Sequence, residues 1–139
     1  ATALIAAHDC GGCMLTQEIH SRGRSSQPTA TETVTMIRAG APVMTLINVF
    51  TVDPSRQQEL VDLLVDATET TMRHKRGFIS ANIHRSADGT QVVNYAQWRT
   101  PEDFAAMRED PEASAHMKKA AAIAQFQPIM CEVVYVDHA

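Results

Sequence analysis

Residues 78–98 read FISANIHRSADGTQVVNYAQW, with two apolar segments on either side of a turn signal. In both segments β-branched and aromatic residues alternate with polar ones, which is typical of half-buried strands. An Asp-Gly pair between two such segments, here Asp88–Gly89, is a strong indicator of a β-hairpin. The stretch therefore predicts two antiparallel strands, residues 78–86 and residues 90–99.

The sequence before the hairpin predicts a strand followed by a helix. Residues 43–52, VMTLINVFTV, are apolar and β-branched. Asp53 then precedes Pro54, a typical N-cap followed by a proline at the first helical position. Apolar residues recur on one helical face, at Leu60, Leu63, Leu64 and Ala67. The basic residues 74–76 and then Gly77 are typical of a helix C-terminus.

The sequence after the hairpin predicts a second helix with an interruption. Thr100 and Pro101 are an N-cap and a first-turn proline, and Asp103 stands three residues past the cap. Asp110–Pro111 interrupts this helix, which resumes over residues 112–124.

Residues 128–137, PIMCEVVYVD, predict a closing strand. The resulting order β-α-β-β-α-β is typical of a ferredoxin-like α+β fold, with an antiparallel sheet that carries helices on one face. The other face needs a cover, and a second copy of the chain is the simplest one because most oligomers are symmetric. We therefore expect a homodimer in the form of a dimeric α+β barrel.

Residues 1–42 differ in composition from the rest of the chain. The segment HSRGRSSQPTATET is rich in Ser, Thr, Gly and Pro and has no periodicity. We expect residues 1–42 to be a weakly structured N-terminal extension, and residues 43–139 to be the folded domain. Cys10 and Cys13 have the spacing of zinc ligands, but a second ligand pair is missing, so no metal site is predicted.

Composition and charge argue against several classes of function. The chain has 139 residues, of which 45% are hydrophobic and 20% charged, as expected for one globular domain. Its net charge of −4 argues against broad nucleic-acid binding. No apolar run approaches the roughly 20 residues of a membrane helix, and no signal-peptide pattern is present. The 3 cysteines cannot all pair, which favours a reducing cytoplasm.

Polar residues stand inside several of the apolar strands. Asn94 and Trp98, the only tryptophan, share one face of their strand because side chains alternate along it. Asn48 and His84 lie in two other predicted strands. An unpaired buried polar group costs about 1–3 kcal/mol, so a cluster of them indicates a pocket that awaits a ligand. Alternatively, each group bonds to backbone or water, as most buried polar groups do.

From about residue 43 to residue 136 the chain resembles the antibiotic biosynthesis monooxygenases. Within that group, residues 77–98 resemble the small anthrone oxygenases of aromatic polyketide pathways, through the Gly-Phe opening, His84, the Asp88–Gly89 turn and VVNYAQW. The resemblance implies a cofactor-independent monooxygenase that oxidises an anthrone-like polyketide to a quinone with O₂. No metal and no flavin would be needed.

The resemblance and the residue types together suggest roles for eight side chains. Asn94 would donate hydrogen bonds to an oxyanion or hydroperoxide, Trp98 would offer its indole, and His84 would act as a base. Asn48 stands at the first-strand position where some relatives also place a functional Asn. The residues expected to contact the substrate are Phe104, Met107, His116 and Lys118. Some relatives carry a Tyr where Phe104 stands, and an Arg near Lys118.

Three other functions stay open on the sequence. Dimeric barrels also serve as polyketide cyclases, and a non-catalytic barrel could bind an aromatic ligand without oxygen uptake. A related branch degrades heme with an Asn, a helical Trp and a helical His. Asn48 and His116 would match two of these residues, but no Trp stands near Ala106.

Overall fold

The computed structural model describes residues 32–139, and residues 35–139 form one compact unit. This part of the chain contains four strands and three α-helices. They are β1 (Met44–Val52), α1 (Gln57–Thr70), β2 (Phe78–Arg85), β3 (Gln91–Trp98), α2 (Pro101–Glu109), α3 (Pro111–Ala121) and β4 (Ala124–Cys131). Cys10, Cys13 and most of the predicted extension lie outside the described residues. No helix within residues 32–139 is long and apolar enough to cross a membrane.

The four strands form one sheet in the order β2-β3-β1-β4, and every neighbouring pair is antiparallel. The three helices pack against the same face of this sheet. Trp98 on β3, for example, packs in one cluster with Phe104 and Met107 on α2, and Val92 packs in another with Leu60 on α1. The predicted ferredoxin-like α+β fold is confirmed.

The predicted hairpin is present between β2 and β3. Gly89 has a φ of 81°, a left-handed conformation that costs glycine little. The Asp88 carboxylate accepts hydrogen bonds from the Ser86 hydroxyl (2.6 Å) and from the Thr90 backbone N–H (3.0 Å). These bonds, together with one from the Thr90 hydroxyl, lower the pKa of Asp88 to about 2. The turn is therefore held by local bonds to a carboxylate that stays ionised at neutral pH.

The interruption predicted at Asp110–Pro111 separates α2 from α3. The Thr100 hydroxyl caps α2 by accepting a hydrogen bond from the Asp103 N–H at 3.1 Å. The Asp110 carboxylate caps α3 by accepting hydrogen bonds from the N–H groups of Glu112 (3.0 Å) and Ala113 (3.1 Å). Each cap satisfies backbone donors that have no partner inside the helix.

Several element boundaries differ from the sequence prediction, among them the end of α3, which lies at Ala121 and not at residue 124. Helix α1 ends at Thr70, and a 3-10 turn follows, because the buried Thr71 donates a hydrogen bond to Glu112 (3.0 Å) and so ties the chain to α3. Strand β4 begins at Ala124 and ends at Cys131, and residues 132–137 are not in a strand. Pro128 lies within β4 and not at its start, which is tolerated because β4 is an edge strand.

The core on the helical face of the sheet is divided into two clusters. The first contains Met44, Leu46, Ala96, Trp98, Phe104, Met107 and Ala113. The second contains Phe50, Val52, Leu60, Val92 and Ala120. Along β1 and β3 the residues between these clusters are Asn48 and Asn94, so two amides interrupt an otherwise apolar surface.

A substitution of Gly77 should destabilise this fold. Gly77 has a φ of 78°, and a Cβ added there would collide with the side chain of Asp103. Asp103 cannot easily move, because it is buried and the Arg99 guanidinium binds both of its carboxylate oxygens (2.9 and 3.1 Å). We expect Gly77→Ala to lower the free energy of unfolding by about 2–4 kcal/mol, from the left-handed backbone and the overpacking together. Urea unfolding measures this loss.

Gly40 supplies the matched control. It also has a positive φ, 68°, but a Cβ there would meet nothing within 4 Å. Gly40→Ala should therefore cost only the backbone contribution, about 1–2 kcal/mol. Equal losses in the two variants would contradict the role assigned to the Asp103 contact.

Candidate active site

A cavity of about 110 Å³ lies between the helices and the inner face of the sheet. Most of its wall is apolar, with Phe50 and Leu46 on the sheet side and Leu64 and Met117 on the helix side. The amides of Asn48 and Asn94 open into it at the gap between the two core clusters. Binding sites of this kind combine apolar walls with a few polar groups that orient the ligand.

Asn48 and Asn94 form the polar centre of the cavity. They are directly opposite each other in the β1–β3 ladder, so their side chains emerge side by side on the same face. The Oδ1 atoms of both are buried and accept no hydrogen bond within residues 32–139. Each unpaired oxygen costs about 1–3 kcal/mol, so the pair is expensive unless a bound molecule uses it. A terminal amide can also rotate and present its NH₂ group, so either side chain can donate or accept.

Trp98 forms one aromatic wall. It is 2% exposed, and its ring meets Phe78 edge-on, with centroids 5.5 Å apart and planes at 89°. On α2, Phe104 packs against the same indole at 5.9 Å. Phe104 and Met107, which the sequence analysis expects to contact the substrate, are buried and line the cavity.

His84 does not belong to this site, and the prediction that it lies with Asn48, Asn94 and Trp98 is wrong. In the β2–β3 ladder His84 pairs with Val93, whereas Ile83 pairs with Asn94. Because side chains alternate across a strand, His84 points to the opposite face of the sheet. It is exposed there, with Nδ1 3.0 Å from the Asn82 carbonyl oxygen.

A different histidine, His116 on α3, lies beside the site. It lines a smaller cavity of about 50 Å³ that also includes Asn48, Phe50 and Met117 from the wall of the larger one. Its side chain is 16% exposed, and its Nδ1 is 4.0 Å from Oδ2 of Asp66 on α1. The apolar repeat Ala113, Met117 and Ala120 is the sequence signal that places position 116 near the buried face.

Lys118, the fourth residue that the sequence predicts to contact the substrate, is exposed on α3 and lines neither cavity. It lies off the buried face of the helix, one position beyond Met117. Arg108 on α2, which the sequence does not distinguish from the other arginines, does line the larger cavity. The positive charge at this cavity therefore comes from α2 and not from α3.

Comparison with known proteins shows which family the chain matches. Residues 43–119 match the antibiotic biosynthesis monooxygenase family. Tetracenomycin-F1 monooxygenase of Streptomyces glaucescens is 50% identical over 93 residues, which are 67% of this chain and 83% of that protein.

Two solved structures are also similar. One is a monooxygenase from the gene ActVA-Orf6 of Streptomyces coelicolor, in complex with nanaomycin D. It has 27% identity and a TM-score of 0.61, over 69% of this chain and 91% of that one. The other is SnoaB, a cofactor-independent oxygenase from Streptomyces nogalater. It has 18% identity and a TM-score of 0.55, over 68% and 95% of the two chains. This second likeness concerns the fold alone.

Proposed function

This chain belongs to the antibiotic biosynthesis monooxygenase family, and from that premise we propose that it oxidises an anthrone-like aromatic polyketide to a quinone with O₂. The pair of unpaired buried amides, Asn48 and Asn94, is the observation that carries this proposal. When the two amides turn their Nδ2 groups toward the ligand, they offer hydrogen bonds to an oxyanion in an apolar cavity with an aromatic wall. In such surroundings a preoriented donor stabilises developing charge more than water does.

The proposed reaction needs no reductant besides the substrate. Loss of one proton from the anthrone methylene gives a delocalised anion, which passes one electron to O₂. The carbon radical and superoxide combine into a peroxide, which takes up a proton. Removal of the second methylene hydrogen as a proton then breaks the O–O bond and leaves a carbonyl and water. The methylene gives up four electrons and O₂ accepts four, so the balance closes without flavin or metal.

The polar and aromatic residues in and beside the cavity have tasks in this scheme. The amides of Asn94 and Asn48 hold the oxygen of the anthrone anion, and the indole of Trp98 provides a flat wall for the ring system. His116 takes the place first given to His84 as proton acceptor, since an imidazole exchanges protons near neutral pH. Asp66, 4.0 Å from its Nδ1, would stabilise the imidazolium that forms.

We further propose that the protein works as a homodimer. The sheet face without helices carries apolar side chains that are only partly covered, Ile47, Val49 and Tyr95 among them. Ile79 and Ile129 on the same face are 47% and 42% exposed. Exposed apolar side chains grouped on one sheet face are typical of an interface, and a second copy would cover them in the manner of a dimeric α+β barrel.

Oxygen consumption with dithranol, a simple anthrone, tests the proposed reaction. The protein is first stripped of metal and flavin, and autoxidation is subtracted with a protein-free blank. We expect uptake of one O₂ per anthrone, with a product heavier than the substrate by one oxygen less two hydrogens. His84→Gln is the matched control and should keep this activity, because His84 lies on the other face of the sheet.

Two results would contradict the proposal. Bound dithranol without oxygen uptake above the blank would indicate an aromatic-ligand-binding protein. A polyketide product that has lost water and gained no oxygen would indicate a cyclase.

A further inference from the structure

Arg108 stands out because its charge lies beside an apolar cavity and has no anionic partner among residues 32–139. It is the only ionisable side chain among the described residues that line the cavity of about 110 Å³ between helices and sheet. Two other arginines are held in ion pairs, Arg56 with Glu59 at 2.9 Å and Arg99 with Asp103 at 2.8 Å. Arg73 is exposed and without an ion pair in the described part of the chain, as Arg108 is, but it lines no part of the cavity. Within residues 32–139 Arg108 forms no ion pair and no hydrogen bond through its guanidinium. A cation beside an apolar cavity is therefore available to a ligand.

The position of this guanidinium is defined by the aromatic wall. Its central carbon lies 5.9 Å from the centroid of the Phe104 ring, within the range of a cation–π contact. Phe104 in turn packs against Trp98. Arg108 is thus held at the outer end of the wall against which we place the substrate ring.

A second pocket, which we call the vestibule, adjoins the cavity of about 110 Å³, which we call the inner cavity. This vestibule has a volume of about 370 Å³ and shares Phe104, Arg108 and Pro128 with the inner cavity. Pockets that enclose a drug-sized ligand usually measure about 300–1,000 Å³, so the inner cavity of 110 Å³ cannot hold a fused-ring substrate alone. A molecule whose reacting ring contacts Asn94 can extend past Arg108 into the vestibule, which offers more volume than the cavity of about 50 Å³ beside His116.

We propose that Arg108 and the vestibule form a subsite for a carboxylate, carried on the end of the substrate remote from the reacting carbon. This inference rests on the proposed function, because it assumes that a flat ring occupies the inner cavity. A guanidinium matches a carboxylate through two parallel N–H···O bonds, and a neighbouring apolar surface strengthens them. Glu102 is the one acidic residue that lines the vestibule within the described part of the chain. It forms no ion pair with Arg108, so it does not occupy the position proposed for the carboxylate of the substrate.

Binding of two matched probes tests this subsite without any turnover. The probes are 1,8-dihydroxyanthraquinone-3-carboxylate and its methyl ester, and the readout is quenching of the fluorescence of Trp98, the single tryptophan. We expect Arg108→Gln to raise the Kd of the acid about tenfold or more and to change that of the ester less than about twofold. Arg108→Lys should keep part of the preference for the acid, and high salt should reduce it in the natural protein.

Arg73→Gln is the control variant, since Arg73 is an exposed arginine that lines neither the cavity nor the vestibule. It should leave both Kd values unchanged. Equal losses for acid and ester in Arg108→Gln would show that Arg108 only packs against the ring, and would overturn the subsite alone. Failure of the folded natural protein to bind either probe would overturn the ring-binding proposal, and the subsite with it.

Discussion

Asn94→Leu is expected to lower kcat with an anthrone by about 10²–10³ while leaving the protein at least as stable as before. The loss of activity follows from removing a donor to the oxyanion. The unchanged stability follows because the Oδ1 atom of Asn94 is buried without a partner, and leucine has the same branching at Cγ without an unpaired group, with the cavity beside it to take its larger methyl groups. Steady-state kinetics and urea unfolding of the same preparations measure the two quantities.

Asn82→Leu is the matched control for this variant. Asn82 lies on the opposite face of the sheet, where its amide is fully engaged: Nδ2 donates to the Tyr95 carbonyl (2.9 Å) and Oδ1 accepts from the Thr35 hydroxyl (2.6 Å). Its replacement should cost about 1–3 kcal/mol of stability and leave kcat unaltered. If Asn94→Leu behaved in the same way, Asn94 would be a structural residue and the site would be misassigned.

Trp98→Ala is expected to be the most destabilising single change at the site, at about 3–5 kcal/mol. The indole is buried, and its removal would leave a void between Phe78 on β2 and Phe104 on α2, which both pack against it. Because a domain of this size is stable by only about 5–15 kcal/mol, this loss is a large share of the total. Chemical denaturation measures it, with Phe126→Ala as control, since Phe126 is 38% exposed and should cost far less.

Trp98→Phe separates the structural role of this residue from its role in the site. The smaller ring keeps much of the packing, so we expect a stability loss of about 1–2 kcal/mol and a folded protein. The flat wall is shortened, however, so oxygen uptake with dithranol should fall. Full activity in folded Trp98→Phe would contradict a role for the indole in the reaction.

Several parts of the fold were predictable because the interactions that form them are local. The Asp88–Gly89 turn depends on bonds from Asp88 to Ser86 and Thr90, within two residues on either side. The starts of α2 and α3 likewise depend on the caps Thr100 and Asp110, which bond to donors two or three residues further on. Where a distant contact decides, prediction failed: α1 ends early because Thr71 bonds to Glu112 across the helical layer.

The candidate site was partly predictable for a related reason. Alternation along β3 places Asn94 and Trp98 on one face whatever the rest of the chain does. It cannot say that Asn48 stands opposite Asn94, because the register between β1 and β3 joins residues 46 positions apart. The resemblance to anthrone oxygenases implies a role for His84, but His84 lies on the other face of the sheet, together with Ser80 and Asn82.

The sequence by itself therefore determined the order of elements, the turn and caps, the family, and the pairing of an amide with an indole on one strand. Only the tertiary structure decided which sheet face the helices cover, and with it that His116 and not His84 lies beside the cavity. It also decided that Arg108 and not Lys118 brings a charge there. The physical reason is that periodicity defines two faces for each strand and helix. Which face is buried depends on the apolar area that all elements cover together.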